Sequence, residues 1–192
     1  MNSCIVLAGG AGRRMGGIDK AALIVGGATL LDRALATARP LCPRLVVVGP
    51  VRATELNDVF FTREDEPSTG PVPAVLAGLE RTSEADVIVV LAVDLPLLST
   101  NSLRHLIDEL HHHGAGAAAA ADEHGRPNPL LAAYRADALR ASSARLGGDG
   151  RSAAASRLLP ADTVVVDLGP YETLNVNSPA DLAAAVSAAR RR

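Results

Sequence analysis

Short apolar runs alternate with helix-length segments along the whole chain, and this alternation is the strongest constraint on its fold. The apolar runs are almost continuously hydrophobic, as strands are when both faces of their sheet are covered. They cover residues 3–8, 44–48, 58–62, 86–92, 116–121, 130–134 and 163–167. Helical patterns cover residues 28–38, 73–80, 99–113, 136–146, 151–159 and 179–190. This order predicts an α/β fold, with helices on both faces of an open, mostly parallel sheet in a three-layer arrangement.

The length and composition are those of one globular domain. The chain has 192 residues, of which 48% are hydrophobic and 21% are charged. A domain usually has about 100 to 200 residues, and this proportion of apolar residues excludes intrinsic disorder. No linker rich in proline, glycine or serine divides the sequence. We therefore expect residues 1–192 to form a single domain.

Charge and residue usage exclude several classes of partner. The formal net charge is −2 and aromatic residues make up 2% of the chain, so neither a basic surface nor a stacking platform for nucleic acid is available. The sequence contains no apolar stretch of membrane-spanning length and no signal-peptide pattern, which predicts no membrane partner and a cytoplasmic location. Cys4 and Cys42 have no CxxC spacing and are expected to be inert, buried hydrophobes.

A glycine- and arginine-rich loop follows the first predicted strand. Residues 7–20 read LAGGAGRRMGGIDK, so many backbone amides can turn toward one point and form a nest for an anion. Arg13, Arg14 and Lys20 add positive charge to the same loop. Because ligands of open α/β sheets bind beyond the carboxyl ends of the strands, the loop predicts a phosphate site. The alternative, a plain glycine-rich surface loop, does not account for the three cations.

Two familiar phosphate loops are excluded by the same residues. A Walker A loop ends in Gly-Lys followed by Ser or Thr, whereas this loop ends in Asp19-Lys20-Ala21. A dinucleotide fingerprint needs a third glycine where Met15 stands. A redox dinucleotide cofactor is therefore not expected.

A carboxylate ends one of the predicted buried strands. The strand over residues 86–92 runs into Val93-Asp94-Leu95-Pro96, and an unpaired carboxylate is costly to desolvate unless a metal or another cation neutralises it. Asp94 is therefore a candidate Mg²⁺ ligand, since Mg²⁺ binds one or two carboxylates together with substrate phosphates. The alternative is a turn aspartate before Leu-Pro.

Two further polar stretches follow predicted strands. Residues 63–74 carry acids that either contact a base or ribose or belong to a solvated loop. Near the end of the chain, Ser178 and Asp181 have the spacing of a capping box. Just before them Asn175 and Asn177 alternate, so they point the same way from an extended segment and suit hydrogen bonding to a polar ligand.

Taken together, these motifs resemble the molybdenum cofactor guanylyltransferase family from residue 5 to about residue 182. The first loop is the most specific string, and Glu64-Asp65 before Gly70-Pro71, Val93-Asp94-Leu95-Pro96 and Asn175-Val176-Asn177-Ser178-Pro179 add to it. The resemblance implies a Rossmann-like nucleotidyltransferase fold. It also implies transfer of GMP from Mg²⁺·GTP to the terminal phosphate of molybdenum-bound molybdopterin, with release of pyrophosphate.

The resemblance also implies roles for individual residues. By position, Leu7, Ala8 and Gly9 would contact the guanine nucleotide, Lys20 and Asp65 would bind GTP, and Asp94 would bind both GTP and Mg²⁺. From the residues themselves we expect Gly10 to bind GTP with them and Arg14 to act in catalysis with Lys20 and Asp94. We expect Asn175 and Asn177 to bind the acceptor. Mg²⁺ is the implied cofactor, and the implied partners are GTP, a molybdopterin-type acceptor and, transiently, proteins that deliver or receive the cofactor.

The strings also bear on which base is used. Sister enzymes that use CTP typically carry Leu-Ala-Ala-Gly where this chain has Leu7-Ala8-Gly9-Gly10, which favours guanine. The chain departs from the family at Gly49, where asparagine is common, and at Val72-Pro73-Ala74, where Leu-Ala-Gly is usual. In the family both positions lie near the nucleotide, so guanine specificity is the expectation on which these two departures bear most. The alternatives are a cytidylyltransferase, another nucleotidyltransferase with a phosphate acceptor, and a non-catalytic nucleotide-binding domain.

Overall fold

The computed structural model describes residues 1–9, 18–64, 70–146 and 153–191. Its strands are β1 (Asn2–Leu7), β2 (Ile24–Val25), β3 (Ala28–Thr29), β4 (Arg44–Val48), β5 (Val59–Thr62), β6 (Val87–Ala92), β7 (Ala117–Ala121), β8 (Pro127–Arg135) and β9 (Val164–Val166). Its helices are α1 (Leu30–Ala38), α2 (Pro71–Leu79), α3 (Thr100–His113), α4 (Ala136–Ala144), α5 (Gly169–Glu172) and α6 (Pro179–Ala189). In the described part of the chain, no helix has the length and apolar character needed to cross a membrane.

Seven strands form one central sheet in the order β5-β4-β1-β6-β8-β7-β9. Strands β5, β4, β1 and β6 are parallel neighbours, and β7 and β9 are also parallel. Strand β8 is antiparallel to both of its neighbours. The predicted open, mostly parallel sheet is confirmed. Because the chain leaves β1 toward β4 on one side and later returns to β6 on the other, the carboxyl ends of β1 and β6 flank a topological switch point.

Helices cover both faces of the sheet, which confirms the three-layer arrangement. On one face, alternate β1 residues such as Cys4 and Val6 pack in a core with α1, α3 and α6. On the other face, Ile5 and Leu7 pack in a second core with α2 and α4. Strand β1 is therefore buried on both sides, because successive side chains of a strand point to opposite faces.

One predicted helix, over residues 151–159, is wrong. Among the described residues of this stretch there is only a short 3₁₀ turn at Ala155–Leu158. Ala154 before it and Leu159 after it are extended, and the residue preceding a proline, here Pro160, is biased toward extended backbone. The extended residues on both sides therefore end the 3₁₀ turn before it can become an α-helix. A second 3₁₀ turn, Lys20–Ala22, precedes the small β2-β3 hairpin.

A glycine in α2 sets how closely this helix approaches the sheet. A Cβ built on Gly78 would lie 2.5 Å from Cγ2 of Ile5 and 3.1 Å from Cγ2 of Val48. Both are β-branched core residues with restricted χ1 angles. We expect Gly78→Ala to lower the free energy of unfolding by about 1–2 kcal/mol, because overpacking costs ~1–3 kcal/mol and the better helix propensity of alanine returns up to ~1 kcal/mol. Chemical denaturation measures the change, and equal or greater stability would contradict it.

Candidate active site

The ends of three parallel strands meet at one edge of the sheet. The amide of Val93, just after β6, donates to the carbonyl of Leu7 at 3.1 Å, and the amide of Ala8 donates to the carbonyl of Val48 at 2.9 Å. The segments that follow β1, β4 and β6 are thereby held side by side. This is the switch point of the sheet, where open α/β folds bind their ligands.

Lys20 and Asp94, 74 residues apart in sequence, are in contact at this edge. The Lys20 ammonium donates to Oδ2 of Asp94 at 3.2 Å and to Oδ1 of Asn177 at 2.8 Å. The side chains of Lys20 and Asp94 are 22% and 18% exposed, so the pair is largely shielded yet reachable. An ammonium has three N–H donors. Two of them are used by Asp94 and Asn177, so the third can bind a further acceptor.

One carboxylate oxygen of Asp94 has no partner among the described residues. Its Oδ1 is buried and accepts no hydrogen bond from residues 1–9, 18–64, 70–146 or 153–191, although burial of an unsatisfied charged oxygen is unfavourable. Its carbonyl, by contrast, accepts the amide of Val176 at 2.9 Å, which fixes the main chain at this point. A free carboxylate oxygen on a fixed main chain is a suitable ligand for a cation.

The donor set is the kind that Mg²⁺ uses. Among residues 1–9, 18–64, 70–146 and 153–191, no three His, Cys, Asp or Glu side chains are grouped to hold a metal. A closed site of the zinc type is therefore not formed by these residues. A single carboxylate fits Mg²⁺, which keeps several waters and completes its ligands with substrate phosphates.

The segment carrying Asn177 is held by the start of α6. The Asp181 carboxylate accepts the amides of Asn177 at 3.0 Å and of Ser178 at 2.8 Å, and the Ser178 hydroxyl accepts the Asp181 amide. The predicted capping box is confirmed. The hydrogen bond from the Asn177 amide, followed by the contribution of Ser178, lowers the pKa of Asp181, and the Lys20 charge adds to this effect.

We expect Asp181→Asn to lower the melting temperature by a few degrees near neutral pH, because an amide replaces the charged cap. The lowered pKa in the folded state means that the stabilisation is complete above the ordinary value of 3.8 and is lost as the pH falls through the folded pKa. The difference in melting temperature between the two proteins should therefore narrow as the pH falls below 3.8. A difference that stays constant between neutral and acidic pH would contradict this role.

An arginine that the sequence reasoning missed binds Asp19, the residue that precedes Lys20. Arg52 donates through Nε to Oδ2 of Asp19 and through Nη2 to Oδ1, both at 2.8 Å. It also donates through Nη1 to the carbonyl of Pro50 at 2.9 Å. Nothing local marks this residue, since Arg52 lies in an irregular loop and its partner is 33 residues away.

Gly49 follows β4 directly and packs against the main chain after β1. Its φ is +152°, and a Cβ built on it would lie 2.8 Å from the carbonyl carbon of Ala8 and 2.9 Å from the amide nitrogen of Gly9. Any side chain at position 49 would push the segments after β1 and β4 apart. This position therefore cannot offer the nucleotide a polar side chain, as the asparagine common in the family could. The other departure from the family pattern, Val72-Pro73-Ala74, is buried in the first turn of α2.

The structure brings together some of the predicted site residues. Lys20 contacts both Asp94 and Asn177, and Leu7 and Ala8 are buried at the ends of the strands nearby. Gly9 is exposed, and a Cβ built on it would lie 3.7 Å from Oε1 of Glu64. Asn175 is exposed, whereas Val176 is buried and Asn177 is half-buried. The remaining candidates, Gly10, Arg13, Arg14 and Asp65, lie outside the described residues.

Residues 4–164 match the model of the MobA-like NTP transferase domain. A relative from Acidiphilium cryptum, named molybdenum cofactor guanylyltransferase, is 33% identical and aligned over 94% of this chain and 92% of its own. A relative of the same name from Cereibacter sphaeroides is 34% identical over 97% of this chain and 96% of its own.

The fold is shared with a solved structure. The molybdopterin-guanine dinucleotide biosynthesis protein A from Archaeoglobus fulgidus superimposes with a TM-score of 0.77, at 23% identity, over 100% of both chains. This structural likeness extends over the whole sheet and its covering helices.

Proposed function

Because the chain belongs to the MobA-like NTP transferase family, it is a nucleotidyltransferase, and we propose that it transfers GMP from Mg²⁺·GTP to the terminal phosphate of molybdenum-bound molybdopterin. The products are pyrophosphate and the guanine dinucleotide form of the cofactor. The name of its relatives, molybdenum cofactor guanylyltransferase, supports both the nucleotide and the acceptor.

One observation supports the proposal above the others: Lys20 contacts Asp94 at the switch point of the sheet, and Oδ1 of Asp94 has no partner in the described part of the chain. A cation and a free carboxylate oxygen side by side are what a metal-bound triphosphate needs. The ammonium would attract phosphate oxygens, and the carboxylate would hold a metal ion that offsets their charge.

In the proposed reaction, an acceptor phosphate oxygen attacks the α-phosphorus of GTP. The new bond joins that oxygen to phosphorus, and the bond to the β-phosphate oxygen breaks, so the electron pair leaves with pyrophosphate. No nucleophilic side chain is needed, because the acceptor supplies the nucleophile. The task of the protein is to align anionic groups and to offset their charge.

Each described residue has a role in this scheme. Lys20 directs its remaining N–H donor to the triphosphate, while Asp94 and Asn177 hold its ammonium in place. Asp94 would hold Mg²⁺ through Oδ1, and the metal when bound supplies charge stabilisation at the phosphoryl oxygens. The main chain at Leu7, Ala8 and Gly9 would contact the guanine nucleotide, and Asn175 with Asn177 would contact the acceptor.

Residues outside the described ranges complete the proposed site. Arg14 would act with Lys20 on the phosphates, Gly10 would contribute its backbone amide, and Asp65 would bind GTP. We further propose that residues 1–192 form one nucleotidyltransferase domain that works in the cytoplasm. Its expected partners are small molecules and, transiently, proteins that deliver or receive the cofactor.

A pyrophosphate-release assay tests the proposal. GTP, ATP, CTP and UTP are each supplied with and without molybdenum-loaded molybdopterin, and with Mg²⁺ or with a chelator. We expect release only when GTP, the acceptor and Mg²⁺ are all present. Release with CTP instead would support a cytidylyltransferase. Binding of GTP that does not depend on Mg²⁺, without turnover of any triphosphate, would support a non-catalytic nucleotide-binding domain.

A further inference from the structure

The side chain of Arg52 ties two loops of the site together. Its guanidinium binds both oxygens of Asp19, which lies after β1, and the carbonyl of Pro50, which lies after β4. The side chain of Arg52 is 16% exposed, although it lies in an irregular loop. A paired, bidentate contact of this kind is directional as well as strong.

Asp19 has a second partner, and it leads to Lys20. Oδ1 of Asp19 accepts the amide of Ala21 at 3.1 Å and thereby caps the 3₁₀ turn that begins at Lys20. The same oxygen accepts Nη2 of Arg52. The carboxylate orientation that caps the turn is therefore also the one that binds Arg52.

Lys20 is in turn fixed at both ends. Its main chain begins the capped turn, and its ammonium is held by Asp94 and Asn177. A lysine side chain has four rotatable bonds and loses considerable rotamer freedom when it is held. A fixed main chain at Lys20 therefore narrows the range of positions that its ammonium can occupy.

We propose that Arg52 is a positioning residue, which acts through Asp19 to fix the Lys20 ammonium for phosphoryl transfer. The role given to Lys20 rests on the proposed function, but the contact network does not. Arg52 need not touch the nucleotide. The proposal predicts a specific kinetic effect, because a mobile ammonium still attracts a triphosphate, whereas only a fixed ammonium stays aligned in the transition state.

The test compares Arg52→Ala, Arg52→Lys and a matched control, Arg135→Ala. Arg135 likewise donates two hydrogen bonds to one carboxylate, that of Asp137, at 3.2 Å and 2.8 Å. It lies at the opposite edge of the sheet, because its strand neighbour is Val87 at the start of β6. We expect Arg52→Ala to lower kcat roughly tenfold and to change the KM for GTP less than about threefold. Arg52→Lys should recover part of kcat, since an ammonium keeps one of the two contacts, and Arg135→Ala should leave both constants unchanged.

A double-mutant cycle with Lys20→Ala separates positioning from a general structural effect. If Arg52 acts through Lys20, adding Arg52→Ala to Lys20→Ala should change kcat by less than about twofold. A tenfold loss in both backgrounds, or no loss in the wild-type background, would overturn the proposal.

A measurement that does not depend on the reaction keeps this proposal separate from the proposed function. The Ala21 amide donates a hydrogen bond to Asp19, and its hydrogen exchange should be faster in Arg52→Ala than in the wild type. The melting temperature of Arg52→Ala should stay close to that of Arg135→Ala. Unchanged exchange at Ala21 would overturn the positioning role. A wild-type protein that does not turn over GTP, but whose Ala21 exchange responds as expected, would overturn the proposed function and leave the contact network intact.

Discussion

Replacing Asp94 with alanine is expected to lower turnover by about a hundredfold or more, equivalent to ~3 kcal/mol of transition-state stabilisation. The substitution removes the unpaired Oδ1 that we assign to Mg²⁺ and the oxygen that holds Lys20. Charge at the phosphoryl oxygens is then less well offset, and of its two described partners the ammonium keeps Asn177. Steady-state pyrophosphate release at saturating Mg²⁺ and GTP measures the loss.

Asp137→Ala provides the control for Asp94→Ala. Asp137 is also a carboxylate paired with a cation, Arg135, but it lies at the edge of the sheet opposite the site. Its removal should leave turnover within about twofold of the wild type, since the group is exposed and remote. Turnover of Asp94→Ala within about threefold of the wild type would rule out the metal-binding role.

Replacing Lys20 with alanine is expected to weaken GTP binding by about ten- to a hundredfold, since hydrogen bonds to charged groups are worth ~1.5–3 kcal/mol. The change removes the described cation that faces Asp94 and Asn177. Calorimetric titration with GTP in the presence of Mg²⁺ measures the affinity. The fold should persist, because the side chain of Lys20 is outside both hydrophobic cores.

A salt series sharpens the test of Lys20. If its ammonium contacts the triphosphate, the affinity of the wild type should fall more steeply with added salt than that of Lys20→Ala, because added salt screens the extra attraction. Far-ultraviolet circular dichroism of both proteins checks folding. Equal affinities for GTP at low salt would refute a direct role for Lys20 in binding.

The strands and the family were predictable from sequence because both depend on local strings. Apolar runs marked every strand of the central sheet, and the glycine-rich loop with Asp94 predicted the family that the match over residues 4–164 confirms. The antiparallel direction of β8 was not predictable, since an apolar run has no direction. The helix predicted over residues 151–159 is a short 3₁₀ turn in the described part of this stretch, with extended backbone on both sides and Pro160 directly after it.

The site residues that belong to short sequence motifs were predictable, whereas those whose role depends on contacts between distant segments were not. Lys20 and Asp94 each end a recognisable motif, and strand order brings them together. Arg52 has no motif, and its bond to Asp19 follows only from the approach of two loops. The close packing of Gly49 on Ala8 and Gly9 likewise depends on the spacing between two strands, which no single segment reveals.

The Lys20 ammonium donates to the side-chain oxygen of Asn177, 157 positions away in the sequence. The neighbouring amide of Val176 donates to the carbonyl of Asp94. The parts of the site are therefore made at very different times while the ribosome builds the chain. The glycine-rich loop and the acidic group emerge early, but the ammonium lacks one of its two anchors until Asn177 has emerged. A chain stalled just before Asn177 contains every described strand of the central sheet but lacks this partner of Lys20, so the site is among the last parts of the protein to be completed.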